Sequence, residues 1–175
     1  MEWSCPGPGT MKINCNATIG KDYSVIAIVA RDWRGALVFA LSKKVNTNVP
    51  LQAEAEALLL SVQLAGSFIG IKVVIEGDSK TCIEALRTQN LDVPWRISNC
   101  LTEIYHLTSL LSYCSFIWVR REVNHAAHEL ATWSLQNQIT SSFDFGVGPP
   151  SLANILLDDC CRSNVYCFPN FRPQM

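Results

Sequence analysis

The chain contains 175 residues, of which 49% are hydrophobic and 17% charged, and its formal net charge is −1 at pH 7. These values are typical of one globular domain with a full core, and they exclude a strongly basic nucleic-acid-binding chain. No run approaches the roughly 20 apolar residues of a membrane span, and the N-terminus lacks the features of a secretory signal. We therefore expect a monomeric intracellular protein, in the cytoplasm or nucleus, that does not contact membranes.

The sequence contains eight cysteines, but none of them forms a CxxC pair and most lie in apolar runs. Without a secretory signal, this pattern predicts reduced cysteines in the core rather than disulfides. The adjacent Cys160 and Cys161, with Cys167 nearby, leave a metal site or a cross-link open as an alternative.

The first elements of the chain are predicted to be three antiparallel strands. In "MKINCNAT", Ile13, Cys15 and Ala17 alternate with polar residues, and this period of two is typical of a half-buried strand. The runs "YSVIAIVARD" and "ALVFALSKK" predict two more strands, and Gly35 in the intervening "DWRG" suits a tight hairpin.

Helices and strands alternate in the rest of the chain. Residues 51–67 are rich in strong helix formers, and 71–76 form a short apolar run suited to a central strand. Further helices are predicted from the N-cap Ser79 to about residue 89, over about 96–112 and over 125–135, with "CSFIWVRRE" as a fifth strand.

The order β-β-β-α-β-α-α-β-α predicts an α/β domain, in which an antiparallel meander is extended by parallel crossovers into a mixed sheet. We assign residues 1–10 to a Pro/Gly-rich N-terminal extension and 11–136 to the domain. The glycines and prolines after that predict a loosely structured C-terminal tail over 137–175.

Two carboxylates are candidates for a functional site. Asp78 follows the central strand, and the carboxyl ends of such strands meet ligands in open α/β sheets. Glu54 lies early in the first helix and could reach the sheet. Each also has an ordinary interpretation, since Asp after Gly caps helices and acids are favoured near helix N-termini. Glu76 is interpreted as surface at the strand edge.

Five segments together carry a resemblance: "KINCNAT", "RDWRG", "QAEAEALLLSVQLA", "VVIEGDS" and "FIWVRREVNHAAHELA". In this order and at these separations, residues 12–135 resemble the ribonuclease H type-1 family, in its plant reverse-transcriptase-like branch. The resemblance implies a five-stranded mixed sheet of order 3-2-1-4-5 flanked by helices. It also implies endonucleolytic hydrolysis of RNA in RNA/DNA hybrids by two Mg²⁺ ions, or Mn²⁺, held by four carboxylates.

By this resemblance, two of the four metal-binding and catalytic acids are Glu54 and Asp78. The other two positions are degenerate, because Asn16 stands where relatives have Asp in the first strand and His128 where they have Asp in the last helix. Each lost carboxylate removes charge that compensates the ions and part of the preference for magnesium. A single softer ion bound through His128 is an alternative, although these four side chains are a poor zinc set.

The resemblance also indicates contacts with nucleic acid, which we expect from Asn14, Ser79, Arg121 and Asn124. Electrostatic grip on the substrate would come from basic side chains, which could equally be ordinary surface charge: Arg31, Arg34, Lys43, Lys44, Lys80, Arg120 and Arg121. His125, which shares a helix face with His128, is interpreted as a surface residue.

Two hypotheses of different class follow. The chain is either an active two-metal ribonuclease for RNA/DNA hybrids or a relative with weak or lost activity. Such a relative would bind nucleic acid, serve as an interaction module or be a decayed gene copy. The two replaced acids favour the second hypothesis.

Overall fold

A computed structural model describes residues 2–89, 92–143 and 149–162. For residues 161 and 162 it describes the backbone alone. In chain order the elements are β1 (Thr10–Ile19), β2 (Ser24–Arg31), β3 (Leu37–Val45), α1 (Pro50–Ala65), β4 (Lys72–Gly77), α2 (Lys80–Thr88), α3 (Trp95–Thr108), β5 (Cys114–Trp118), α4 (His125–Asn137), β6 (Ser142–Phe143) and α5 (Pro150–Arg162). The predicted order of the elements up to α4 is confirmed. None of the helices in the described ranges has the length and hydrophobicity needed to cross a membrane.

The described strands form a single mixed sheet in the order β5-β4-β1-β2-β3-β6. The first five strands have the predicted order, with β1 antiparallel to β2, β2 antiparallel to β3, and the pairs β1–β4 and β4–β5 parallel. The sheet differs from the prediction in having six strands rather than five. The additional strand, β6, pairs antiparallel with β3 at Ala40 and Leu41.

The central strand β1 is buried on both faces, so the prediction of a half-buried strand was wrong. On one face Ile13 and Cys15 belong to a core with residues of α1, α2 and α3. On the other face α4 and α5 cover the sheet, where Leu130 and Leu152 pack on Ala27 and Val29 of β2. The alternating polar residues Asn14 and Asn16 therefore lie inside the protein, on the face of β1 that α4 covers.

The hairpin between β2 and β3 forms where "DWRG" predicted it. The backbone N–H of Gly35 donates to the carbonyl of Asp32, and Gly35 adopts φ +78°, which glycine tolerates better than other residues. Oδ1 of Asp32 accepts the N–H groups of Arg34 and Ala36, each at 2.9 Å, and so closes the turn.

Arg31 is part of the core, so its assignment to a surface that grips nucleic acid was wrong. Its Nη1 donates to Oδ2 of Asp159 at 2.7 Å and its Nη2 to Oδ1 of Asn14 at 2.9 Å. The guanidinium also stacks on Trp3, with Cζ 3.4 Å from the ring centroid. Burial lowers the pKa of Arg31, and Asp159 opposes this shift.

Glu76 is only 4% exposed, so its interpretation as surface at the strand edge was also wrong. Its carboxylate pairs with Lys12 Nζ at 2.8 Å and accepts the side-chain N–H of Asn14 at 2.9 Å. Asn14 and Glu76 are register partners on β1 and β4, which explains why these two polar side chains meet. Buried polar groups require such partners because they have lost their hydration.

Both ends of the described chain are fixed to the domain. Trp3 of the N-terminal extension is 4% exposed, and α5 buries Leu152 and Leu156 against the sheet. The segment 137–175, which was expected to be loosely structured, therefore contains a packed helix and a strand. Residues 144–148 and 163–175 of this segment lie outside the described residues.

The cysteines that are described agree with reduced core residues. Cys15, Cys82, Cys100 and Cys114 are free thiols, and Cys160 Sγ donates to the carbonyl of Gly35 at 3.6 Å. Cys167 and the side chain of Cys161, which the alternative of a metal site or cross-link requires, lie outside the described residues.

The buried pair between Arg31 and Asp159 predicts a large effect of one substitution in α5. We expect Asp159→Ala to lower the free energy of unfolding by about 3 kcal/mol, because Arg31 would remain buried without this carboxylate. The matched control is Asp158→Ala, at an exposed neighbouring position, with an expected change of about 0.5 kcal/mol or less. Urea unfolding of both variants is the measurement, and equal losses would contradict the assigned role of the pair.

Candidate functional site

The four positions at which the resemblance implies metal ligands come from four elements and converge at one edge of the sheet. The parallel pairing of Cys15 with Gly77 places Asp78, just beyond β4, next to the level of Asn16 in β1. Glu54 reaches this edge from α1, where its Oε1 accepts the backbone N–H of Ala17 at 3.1 Å. His128 reaches it from α4, with Nδ1 3.2 Å from Nδ2 of Asn16.

Asp78 is held by its backbone, while one of its carboxylate oxygens has no partner. Trp118 Nε1 donates to the carbonyl of Asp78 at 3.1 Å, and the N–H of Val119 donates to the carbonyl of Gly77 at 3.0 Å. Oδ1 of Asp78 is buried and accepts no hydrogen bond from any residue that the structure describes. Burial raises the pKa of Asp78, and the positive charge of Arg121 opposes the shift.

Glu54 is the carboxylate whose acidity is most altered. Burial, and next the negative charge of Asp78, raise the pKa of Glu54 from 4.5 to about 8. The hydrogen bond from Ala17 and the charge of Arg121 act in the opposite direction but are smaller. The folded protein therefore favours the protonated form of Glu54, which reduces the negative charge of the edge.

His128 lies between two hydrogen-bond donors. The amide nitrogen of Asn16 faces its Nδ1, and Nη2 of Arg121 lies 3.2 Å from Nδ1 and 3.0 Å from Nε2. The positive charge of the guanidinium at this distance disfavours the protonated, positively charged form of the imidazole. Burial, followed by the charge of Arg121, lowers the pKa of His128 in agreement with this contact.

These side chains do not fit a centre of two magnesium ions. Such a centre needs several anionic oxygens, whereas of these four positions only Glu54 and Asp78 carry a carboxylate. The amide of Asn16 and the ring of His128 bring no negative charge, and the ring is already engaged by Arg121. Within residues 2–89, 92–143 and 149–162, no group of three or more His, Cys, Asp or Glu side chains is arranged to hold a metal ion.

Asn14 and Asn124 were expected to contact nucleic acid, but both side chains are fully buried. Asn124 donates to the carbonyl of Cys15 at 2.7 Å and accepts from Asn14 at 3.3 Å. These bonds attach the start of α4 to β1, so the two buried residues position the edge. The signal in the sequence was the presence of the polar residues Asn14 and Glu76 within two predicted strands. These residues are register partners, and they indicate a buried polar cluster once β1 is known to be covered on both faces.

The remaining expected contacts lie at different places. Ser79 is the half-buried N-cap of α2 and directly follows Asp78. Lys80 and Arg121 are exposed, and each lies within a few residues of a site residue in the sequence. Arg34 pairs with Asp32 in the hairpin at the opposite end of the sheet. Trp118, which the sequence did not single out, is 40% exposed where its indole bonds the backbone of Asp78.

Comparison with solved structures identifies the fold as that of ribonuclease H. A ribonuclease H1 from the archaeon Halobacterium salinarum is 18% identical, with TM-score 0.67 over 73% of this chain and 98% of that chain. The compost-derived LC11-RNase H1 in complex with an RNA/DNA hybrid is 17% identical, with TM-score 0.68 over 74% and 99%. A foamy viral protease-reverse transcriptase in complex with RNA/DNA hybrid is 17% identical, with TM-score 0.57 over 71% of this chain and 19% of that chain.

The family follows from the sequence itself. The model of the reverse transcriptase-like family matches residues 14–134, which is more than half of the chain, and the chain belongs to that family. A search of the curated proteins found no match.

The raised pKa of Glu54 predicts a pH dependence of stability. Because the pKa rises from 4.5 to about 8 on folding, the folded state binds more protons between these values, and stability falls as pH increases through this range. The variant Glu54→Gln has no ionisable group at this position, so its stability does not fall with pH for this reason. We expect its free energy of unfolding, relative to the unaltered protein, to rise by ~4 kcal/mol from about pH 5 to about pH 8.5.

Urea unfolding of both proteins in buffer with EDTA measures this difference. A difference that is the same at both pH values would contradict the raised pKa.

Proposed function

We propose that this chain is a nucleic-acid-binding ribonuclease H-like domain, descended from an endoribonuclease for RNA/DNA hybrids, in which cleavage is weak or lost. The observation that carries the proposal is the contact between Asn16, His128 and Arg121. It places an amide, an imidazole and a guanidinium where the resemblance implies two carboxylates. Cleavage by two metal ions depends on the charge of those carboxylates.

Nucleic acid is the ligand class that the comparisons favour. The compost ribonuclease H1 and the foamy viral enzyme, which share this fold, were both solved in complex with an RNA/DNA hybrid. In this chain, the exposed cations Lys80, Arg120 and Arg121 lie within a few residues of the site in sequence. Such side chains supply the phosphate contacts on which affinity for nucleic acid depends.

The origin and setting of the domain are also part of the proposal. The family description, reverse transcriptase-like, supports a derivation from a retroelement. The flanks "SCPGPGTMKIN" and "PPSLANILLDD" resemble those of the plant branch of the family. We place the protein inside the cell as a monomer that meets RNA/DNA hybrids or related nucleic acids.

Restoring the two acids tests the loss of cleavage. We expect the double variant Asn16→Asp, His128→Asp to cleave an RNA/DNA hybrid on the order of 100-fold faster than the unaltered chain in Mg²⁺ or Mn²⁺, because both substitutions return negative charge to the edge. The measurement is the initial rate on a labelled hybrid.

The control is the same double variant with Asp78→Asn added, which removes a retained carboxylate and should abolish the gained activity. If the unaltered chain cleaves at a rate comparable to that of the double variant, it is an active ribonuclease and impairment is wrong.

Hybrid binding tests the ligand class separately from cleavage. We expect Arg121→Gln to weaken binding in EDTA and to reduce the slope of log affinity against log salt by about 1, as the loss of one phosphate contact predicts. The control is Lys72→Gln, an exposed cation at the start of β4 and thus at the far end of that strand from Asp78.

Fluorescence anisotropy with a labelled hybrid measures both variants. The nucleic-acid proposal fails if the unaltered protein does not bind hybrid, or if the two substitutions have equal effects.

A further inference from the structure

The site contains a permanent positive charge in direct contact with a position that belongs to metal ligands in the resembled family. Nη2 of Arg121 lies 3.0 Å from Nε2 and 3.2 Å from Nδ1 of His128. His128 in turn contacts Asn16, the other position at which an acid is replaced. A guanidinium remains protonated at every accessible pH, so this charge is a fixed property of the edge.

Arg121 brings its charge to the edge at which Glu54 and Asp78 lie, because it contacts His128 there. A positive charge at this edge offsets the repulsion between the two carboxylates. This is the electrostatic task that a bound cation performs among carboxylates. Arg121 is supplied by the loop immediately before α4, which Asn124 attaches to β1 through the carbonyl of Cys15.

We propose that Arg121 is a built-in counter-cation that replaces the metal ions at this edge, so that the site discriminates against divalent cations and binds its ligand without them. This proposal rests on the proposed function only for the position of the site at this edge of the sheet. It does not depend on the identity of the ligand.

Two features of the contact oppose a divalent ion. The ring nitrogens of His128 lie 3.0–3.2 Å from the side chains of Asn16 and Arg121, so a metal ion at the ring would have to displace one of these contacts. An ion bound between His128 and Asp78 would also lie close to the guanidinium, and charges of the same sign repel strongly at short range in a partly buried site. Asn16 and His128 add no anion to compensate that repulsion.

Binding of Mn²⁺ alone, without nucleic acid, tests the proposal. Mn²⁺ prefers the same oxygen ligands as Mg²⁺, and loss of the electron paramagnetic resonance signal of the free ion reports its binding. We expect Arg121→Gln to bind Mn²⁺ about tenfold more tightly than the unaltered protein, because the competing charge is removed. Mg²⁺ should displace the Mn²⁺ that this variant gains.

Two controls separate charge from other effects. Arg120→Gln removes the same charge from the adjacent exposed residue, outside the contact between Arg121 and His128, and should stay within about twofold of the unaltered protein. Arg121→Lys keeps a cation at the position and should also stay close to the unaltered protein. Circular dichroism checks the folding of each variant. If Arg121→Gln does not fold, Arg121→Lys and the unaltered protein still test whether the site excludes Mn²⁺.

Equal Mn²⁺ affinity of the unaltered protein and Arg121→Gln would overturn the proposal, whether both bind or neither does. A gain in Arg121→Lys equal to that in Arg121→Gln would overturn it too, and so would tight binding of Mn²⁺ by the unaltered protein. None of these outcomes depends on hybrid binding, so failure here is distinguishable from failure of the proposed function.

Discussion

The side chain of Asn14 is the contact on which the rest of the structure depends. Its Oδ1 accepts hydrogen bonds from Trp3 and Arg31, and its Nδ2 donates to Glu76 and Asn124. One amide thus joins the N-terminal extension, β2, β4 and the start of α4 to the central strand. Each of these buried polar groups would lose a partner if one element were displaced, so the elements must be in place together.

The same network sets the geometry of the candidate site. Asn124 holds the beginning of α4 against β1, and four residues later His128 meets Asn16. Arg121 lies in the loop that Asn124 ends, so the position of its guanidinium follows from the same attachment. The chemistry of the edge is therefore controlled by buried residues that fix the position of α4 on β1.

Much of the fold could be predicted from local signals. The composition of residues 51–67 predicted a helix, and α1 forms at Pro50–Ala65. The errors concern long-range partners: Arg31 is buried because Asp159 and Trp3 meet it, and neither is near it in sequence. Pro149 and Pro150 suggested a loop, although proline suits the first turn of a helix and α5 begins at Pro150. The site positions came from the resemblance, whereas the contact of Arg121 with His128 required the packing of α4 on β1.

The surroundings of Arg31 have a consequence for where the folding unit ends. The family model spans residues 14–134, and a fragment trimmed to those limits would contain Arg31 without Trp3 and without Asp159. Its guanidinium would then be left in the interior without its ring and its carboxylate, at a cost comparable to the whole stability of a small domain. The autonomous unit is therefore larger than the homologous one, because the two flanks complete its interior.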